Sequence, residues 1–459
     1  MVGLQFVNAD PALAARRNGS DESRQAASTL LNTSACSIRD LRQSPTTSSD
    51  ILLYKFLSYF SQDQGGKIWL ETLPRLSAAK NRIAMKAATR AVSLAYASQT
   101  VHDHSLARAA QEYYVNSLRY HQYSFKAPPG RPPCKAKAVN AIPVTVLLSY
   151  FEMMQATSAD AWLKHTVAAE RLFALLDRET LQDELLNHLY FIVRANATVR
   201  CFLQDGQTEL ARRSWSHIGF IRPCGPSTTF FHDVVDIVTK LTSHVNVRTL
   251  ITGNSHLGVD AQWAISILDD LNHFWHTFAG MIGLSAELFP VSDNSGATST
   301  SSFVLRVELQ EPSAALTAAF FSAAVILARL LLGETTRLGQ IHVNTQSDSI
   351  SFGTGPLTYN TYIGNSNLLY HYLQILAIAE FLRWTCVGCS CVRMLLPLAV
   401  VSRTCPKLEQ KLRAEQIFLE WSGRDGLSGL GLIEYATEDD STSLETLRTD
   451  LERQTAGRP

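Results

Sequence analysis

The sharpest chemical spacing in the chain is Cys386-Val387-Gly388-Cys389-Ser390-Cys391. A C-x2-C pair places two thiolates on one tight turn and is a common half of a zinc site. A closed structural site needs four ligands, and the sequence has no second C-x2-C pair; Cys405 is the nearest thiol downstream. The run continues into Met394, Leu395 and Leu396, so it reads as small thiols packed within an apolar helix. A second cluster is Asp269, Asp270, His273 and His276. Spacings of three and four would bring carboxylates and imidazoles onto one helical face, where they could ligate a metal. Phe274 and Trp275 lie between the histidines, which favours an amphipathic helix with its aromatics inward and its histidines at the boundary. His102-Asp103-His104 falls between two helical patterns and reads as a solvated turn.

Nucleophilic catalysis finds no support. There is no G-x-S-x-G elbow, P-loop, H-E-x-x-H or kinase signature. Gly426-Leu427-Ser428-Gly429-Leu430-Gly431 resembles a phosphate-cradling loop only superficially. It lacks a preceding strand and reads as a helix-ending turn. No catalytic, cofactor-binding, metal or DNA-binding residue is therefore assigned, and the expectation is a non-enzymatic protein without a cofactor.

The elements that would carry these residues are helices. Near Asp50, which can cap it, a helix begins and carries Leu52, Leu53, Phe56 and Phe60. Pro74 suits a helical first turn. Ile83, Ala84, Ala87, Ala88, Ala91, Leu94 and Ala95 then form an alanine-lined face, and Leu106, Ala109, Ala110, Tyr113, Ser117 and Tyr120 a second. The loop between them, Thr100 to Ser105, is short enough to make an antiparallel αα-hairpin. Lys126 to Ala138 is proline-rich and predicts an extended spacer. Helices are expected to resume at Pro143, with Val144, Leu147, Leu148 and Phe151 on one face. Asp160-Ala161-Trp162 opens the next, with Trp162, His165, Ala169, Leu172 and Leu176 on a stripe. Others follow near 185–203, 209–217, 230–243, 259–284, 313–332, 368–391, 394–402 and 407–421, with a kink at Pro397. Phe303 to Leu309 alternates like a strand but has no clear partner, and helix-start residues fit it equally. The fold class is all-α: a large bundle or array of antiparallel helical hairpins around one extended core. Three regions are expected: a polar, largely disordered leader over 1–50, a helical body over 51–435 and a polar tail over 436–459.

Composition agrees. The 459 residues are 46% hydrophobic and 18% charged, which fits a large core and argues against wholesale disorder. Lys+Arg and Asp+Glu are both 41, and the densest basic cluster is the loose set Lys126, Arg131, Lys135 and Lys137, so no basic footprint for nucleic acid stands out. No secretory signal opens the chain, so the eight cysteines are expected to be free thiols in a reducing compartment, and the sequons at Asn32 and Asn196 carry little weight. Ala314 to Leu332 has nearly the length and apolarity of a membrane span, but Thr317, Ser322, Arg329 and its many alanines favour a core helix.

Several stretches together resemble the fungal-specific transcription factor domain, the helical regulatory region of fungal zinc-cluster activators. They are Trp69 with Leu73-Pro74-Arg75-Leu76 and the alanine and Tyr113/Tyr114 helices; Leu147 to Glu152 with Trp162-Leu163-Lys164-His165 and Leu172; and Leu395-Leu396-Pro397-Leu398 through Pro406 to Leu419-Glu420-Trp421. Phe6-Val7-Asn8 also looks like the start of members without the zinc cluster. The resemblance implies an all-α fold, a nuclear location and control of transcription, often of a secondary-metabolite or other metabolic gene cluster. Its DNA-binding module, six cysteines holding two zinc ions, has no counterpart before Trp69, where Cys36 is the single cysteine. The expected partners are therefore other transcription regulators or the transcription machinery, without direct DNA contact or a membrane, and homo- or hetero-dimerisation is left open. The alternative is a non-enzymatic helical scaffold or ligand-binding protein.

Overall fold

The computed structural model describes residues 45–60, 69–79, 82–125, 135–158, 160–204, 208, 210, 225–244, 261–282, 286–290, 303–307, 312–337, 368–385 and 388–424. The expected features at Phe6-Val7-Asn8, Cys36, 209–217, Gly426–Gly431 and 436–459 lie wholly or almost wholly outside them. The described part is all-α, with 13 α-helices packed against one another.

Helix α1 (Pro45–Phe60) starts five residues before the expected cap, so Asp50 lies inside it and the expected 50/51 boundary falls within a helix. Phe56 and Phe60 are buried as the spacing requires. Pro74 occupies the first turn of α2 (Leu73–Ala78). Helices α3 (Ile83–Val101) and α4 (His104–Phe125) form the hairpin, joined by two residues rather than six. His102 adopts the left-handed conformation (φ 51°) that ends α3, and Asp103 caps α4 by accepting from the Ser105 backbone N–H at 2.7 Å. Ala88, Ala91 and Ala95 are fully buried, which lets neighbouring helices approach closely. Ile83 and Tyr120, assigned to inward faces by periodicity, are exposed because they sit at the open end of the hairpin.

Helix α5 (Lys135–Gln155) begins eight residues before Pro143, which lies in its interior. The proline removes one backbone hydrogen bond, but tertiary burial of Val144, Leu147, Leu148 and Phe151 keeps the helix going. Helices α6 (Ala161–Phe173) and α7 (Glu184–Leu203) follow, the latter capped by Asp183, which accepts from Leu186 N–H at 3.0 Å. The next two helices are α8 (Gly225–Thr242) and α9 (Ala261–Ile282). The 303–309 stretch does find a partner. Strand β1 (Ala286–Pro290) pairs antiparallel with β2 (Phe303–Val307), Leu288 facing Leu305, a small hairpin attached to the helical body.

Helix α10 (Pro312–Arg337) is the centre of the second half. It is long and apolar enough to cross a membrane, yet 83% of its most apolar window is buried by protein. It packs against α8, α9, α11 (Leu368–Thr385) and α12 (Cys389–Thr404), and α13 (Leu408–Arg424) covers α11 and α12. Alanines at 315, 318, 319, 323 and 324 allow close helix contacts, while Phe320 and Phe321 fill the gaps between helices. Helix α7 joins the halves by touching α5 and α6 on one side and α8 and α12 on the other. The chain also closes on itself at Gly388, between α11 and α12, where Phe60 from α1 packs against the turn.

Candidate functional site

Among the described residues, the clusters singled out by spacing form no metal-holding group. The cysteine run is not inside one helix. The chain breaks at Gly388, whose φ of 67° favours glycine, and α12 starts afresh at Cys389. Cys391 and Cys405 are buried; Cys386 lies outside the described residues. Among the described residues no group of three or more His, Cys, Asp and Glu is placed to hold a metal ion. On α9, Asp269, Asp270, His273 and His276 face outward, whereas Phe274 and Trp275 turn inward onto Phe321, with Trp275 stacked at 4.4 Å. His102 and His104 are exposed at the hairpin turn. Asn196 is buried within α7, which is incompatible with a bulky glycan on the folded protein.

Chemistry-bearing side chains gather instead in polar seams between helices. In the first, the Tyr114 hydroxyl lies 3.0 Å from His165 Nε2, and Tyr114 stacks on Phe151 at 4.2 Å. Burial and the neighbouring Glu152 carboxylate push the Tyr114 phenol up. Glu152 itself accepts from the Thr157 N–H at 2.9 Å and hydroxyl at 2.7 Å, holding the left-handed Ala156 at the end of α5. Burial pulls His165 below its usual range, with Glu152 opposing, and lowers His121 to about 4, helped by His165.

In the second seam, Glu170 on α6 receives Arg200 Nε from α7 at 3.1 Å and the Thr208 hydroxyl at 2.5 Å. Both charged groups are almost fully enclosed. A third seam runs between α7 and α8, where Arg194 pairs with Asp236 and His232 stacks on Phe191. Burial pulls His188 and His232 below their usual range, with Glu184 opposing at His188 and Arg393 adding to the effect on both. A fourth lies in the α10–α11 core. The Ser322 hydroxyl donates to Gln374 Oε1 at 2.6 Å, which commits its proton. His371 Nδ1, 3.3 Å from the same oxygen, must then be the donor. Burial, with nearby Arg329, lowers His371 to about 3. Ser322 and His371 are adjacent, but the serine proton already points away from the imidazole, so this pair is not a nucleophile–base dyad.

A surface cleft is different in kind. It measures about 250 Å³ and lies among α1, α2, α3 and α4. Leu52, Leu53, Pro74, Ala78 and Leu94 supply apolar wall. Lys86 and Arg90, one helical turn apart on α3, supply positive charge, and Asp50 supplies one carboxylate. Arg90 Nη1 donates to the Tyr113 hydroxyl at 3.3 Å, with the guanidinium 5.5 Å from the ring centroid. The hydroxyls of Ser77, Thr89 and Ser93 donate to backbone carbonyls of their own helices, leaving only acceptor capacity. Periodicity marked Leu52, Leu53, Leu94 and Tyr113 as face residues but passed over Lys86 and Arg90, the charged side chains that give the cleft its character. A usable signal existed: Arg90 and Tyr113 stand twelve and eleven residues from His102, so a tight hairpin must juxtapose them. Comparison of the chain with protein-family models, curated proteins and solved structures found no match.

Proposed function

We propose that this chain is a regulator of transcription of the fungal type, acting in the nucleus through protein partners on a secondary-metabolite or other metabolic gene cluster. One observation carries the reading. The stretches that resemble the fungal regulatory domain converge on a single helical core: Trp69, Leu73, Phe151, Trp162, Leu172, Leu395, Leu396 and Trp421 are all buried in it. Trp69 stacks on Tyr150 at 6.1 Å, joining the first and second stretches directly. Two ion pairs, Arg194–Asp236 and Arg200–Glu170, tie separate helices together, which suits a rigid body that presents surfaces to partners.

The test is a tethering assay. Fused to a foreign DNA-binding domain, the chain should change the output of a reporter; unchanged output at normal expression sinks the reading. Binding of the purified chain alone to promoter DNA at physiological salt would overturn the partner-dependent part. A second reading, a ligand-binding helical protein, is favoured by the cleft beside Arg90 and Tyr113.

A further inference from the structure

We propose that the cleft between α1, α2, α3 and α4 binds a small amphipathic carboxylic acid in its anionic form, of the size of an aryl acetate. The inference gives chemical content to the ligand-binding reading and does not depend on the transcriptional one.

Arg90 is oriented by Tyr113 through both its N–H and the ring face, and neither Arg90 nor Lys86 has a carboxylate partner among the described residues. Tyr113 accepts from Arg90, so its own hydroxyl proton is free for another acceptor. The surrounding hydroxyls have spent their protons on backbone carbonyls. The unspent donors are therefore the Lys86 ammonium and the Arg90 guanidinium, one turn apart on α3, and the Tyr113 phenol on α4, and a planar carboxylate is a small group that satisfies a guanidinium fork together with a lysine. Tyr113 holds Arg90 in place before binding, which reduces the rotamer entropy lost when a ligand arrives.

Leu52, Leu53 and Leu94 add aliphatic lining, so the rest of the ligand is apolar. A volume of about 250 Å³ falls just below the roughly 300–1,000 Å³ of drug-sized sites, which selects a single ring or a short chain. Two cations face one carboxylate, Asp50, leaving an excess of one positive charge in the cleft. That balance suits a monoanion, and Asp50 opposes a second negative charge.

The experiment titrates the purified full-length chain with phenylacetate and, separately, with phenylacetamide, which has the same shape without the charge. Phenylacetate should bind at least about 10-fold more tightly, the factor expected from charge-assisted hydrogen bonds. Lys86 and Asp50 are exposed, so Lys86→Gln and Asp50→Asn leave the fold intact. Lys86→Gln should weaken phenylacetate binding severalfold and Asp50→Asn should strengthen it. The proposal is overturned if neither compound binds at about 10 mM, if the acid and the amide bind alike, or if Asp50→Asn weakens binding, which would mean that the cleft selects a cation.

Discussion

Acidification should destabilise this protein through its buried histidines, and His371 offers the clearest measurement of the effect. Its imidazole sits in the α10–α11 core, donates from Nδ1 to Ser322, and has its pKa lowered by burial from 6.5 to about 3. The folded pKa of this base is depressed, so its stabilising contribution is complete above the unfolded value of 6.5 and is lost as pH falls towards 3. In that window the unfolded chain takes up a proton and the folded chain does not. At 1.36 kcal/mol per pKa unit, moving from about pH 7 to about pH 4.5 should remove about 2–3 kcal/mol through this one residue. Replacing it with glutamine keeps a donor for Ser322 but removes the titration. His371→Gln should be less stable at neutral pH by about 1–3 kcal/mol, from lost packing and a weaker hydrogen bond. It should also lose about 2 kcal/mol less than the parent on acidification. Urea unfolding of both proteins at the two pH values, followed by tryptophan fluorescence, gives the comparison. His121, His165, His188 and His232 titrate in the same direction in both proteins and cancel from the difference. Equal losses in parent and variant would refute the assignment of a neutral, buried His371.

The Glu170–Arg200 pair joins α6 to α7 out of contact with water, so Glu170→Gln alone should destabilise by about 3–5 kcal/mol by leaving the guanidinium unpaired. The double replacement Glu170→Leu with Arg200→Met should recover much of that loss in the same urea measurement. Gly388→Ala should cost about 1–3 kcal/mol, because φ is 67° and the added Cβ would lie 3.1 Å from Phe60; an unchanged unfolding midpoint would rule out that close approach. Burial pushes the Cys201 thiol up to about 11, so iodoacetamide at about pH 8 should spare Cys201 in the folded protein and label it once denaturant is added.

The sequence alone determined that the chain is helical and where several of its helices lie. Alanine and leucine spacing at three and four residues located α3, α4, α7, α10 and α13 to within a few positions, because a helix must bury its apolar stripe wherever it lands. It also determined that α10, despite its apolar length, would serve as a core helix, through its alanines and its Thr317 and Ser322. Tertiary structure decided what local rules rank the other way. Pro143 reads as a helix start, yet α5 runs through it, because burial on every side outweighs one missing hydrogen bond. The cysteine run reads as continuous helix, yet Gly388 breaks it where Phe60, more than 300 residues away, needs the space. The polar seams and the cleft were beyond local reading for the same reason. Glu170 and Arg200, Ser322 and His371, and Arg90 and Tyr113 acquire their partners only when separate helices are brought together, and no spacing within one helix encodes that meeting.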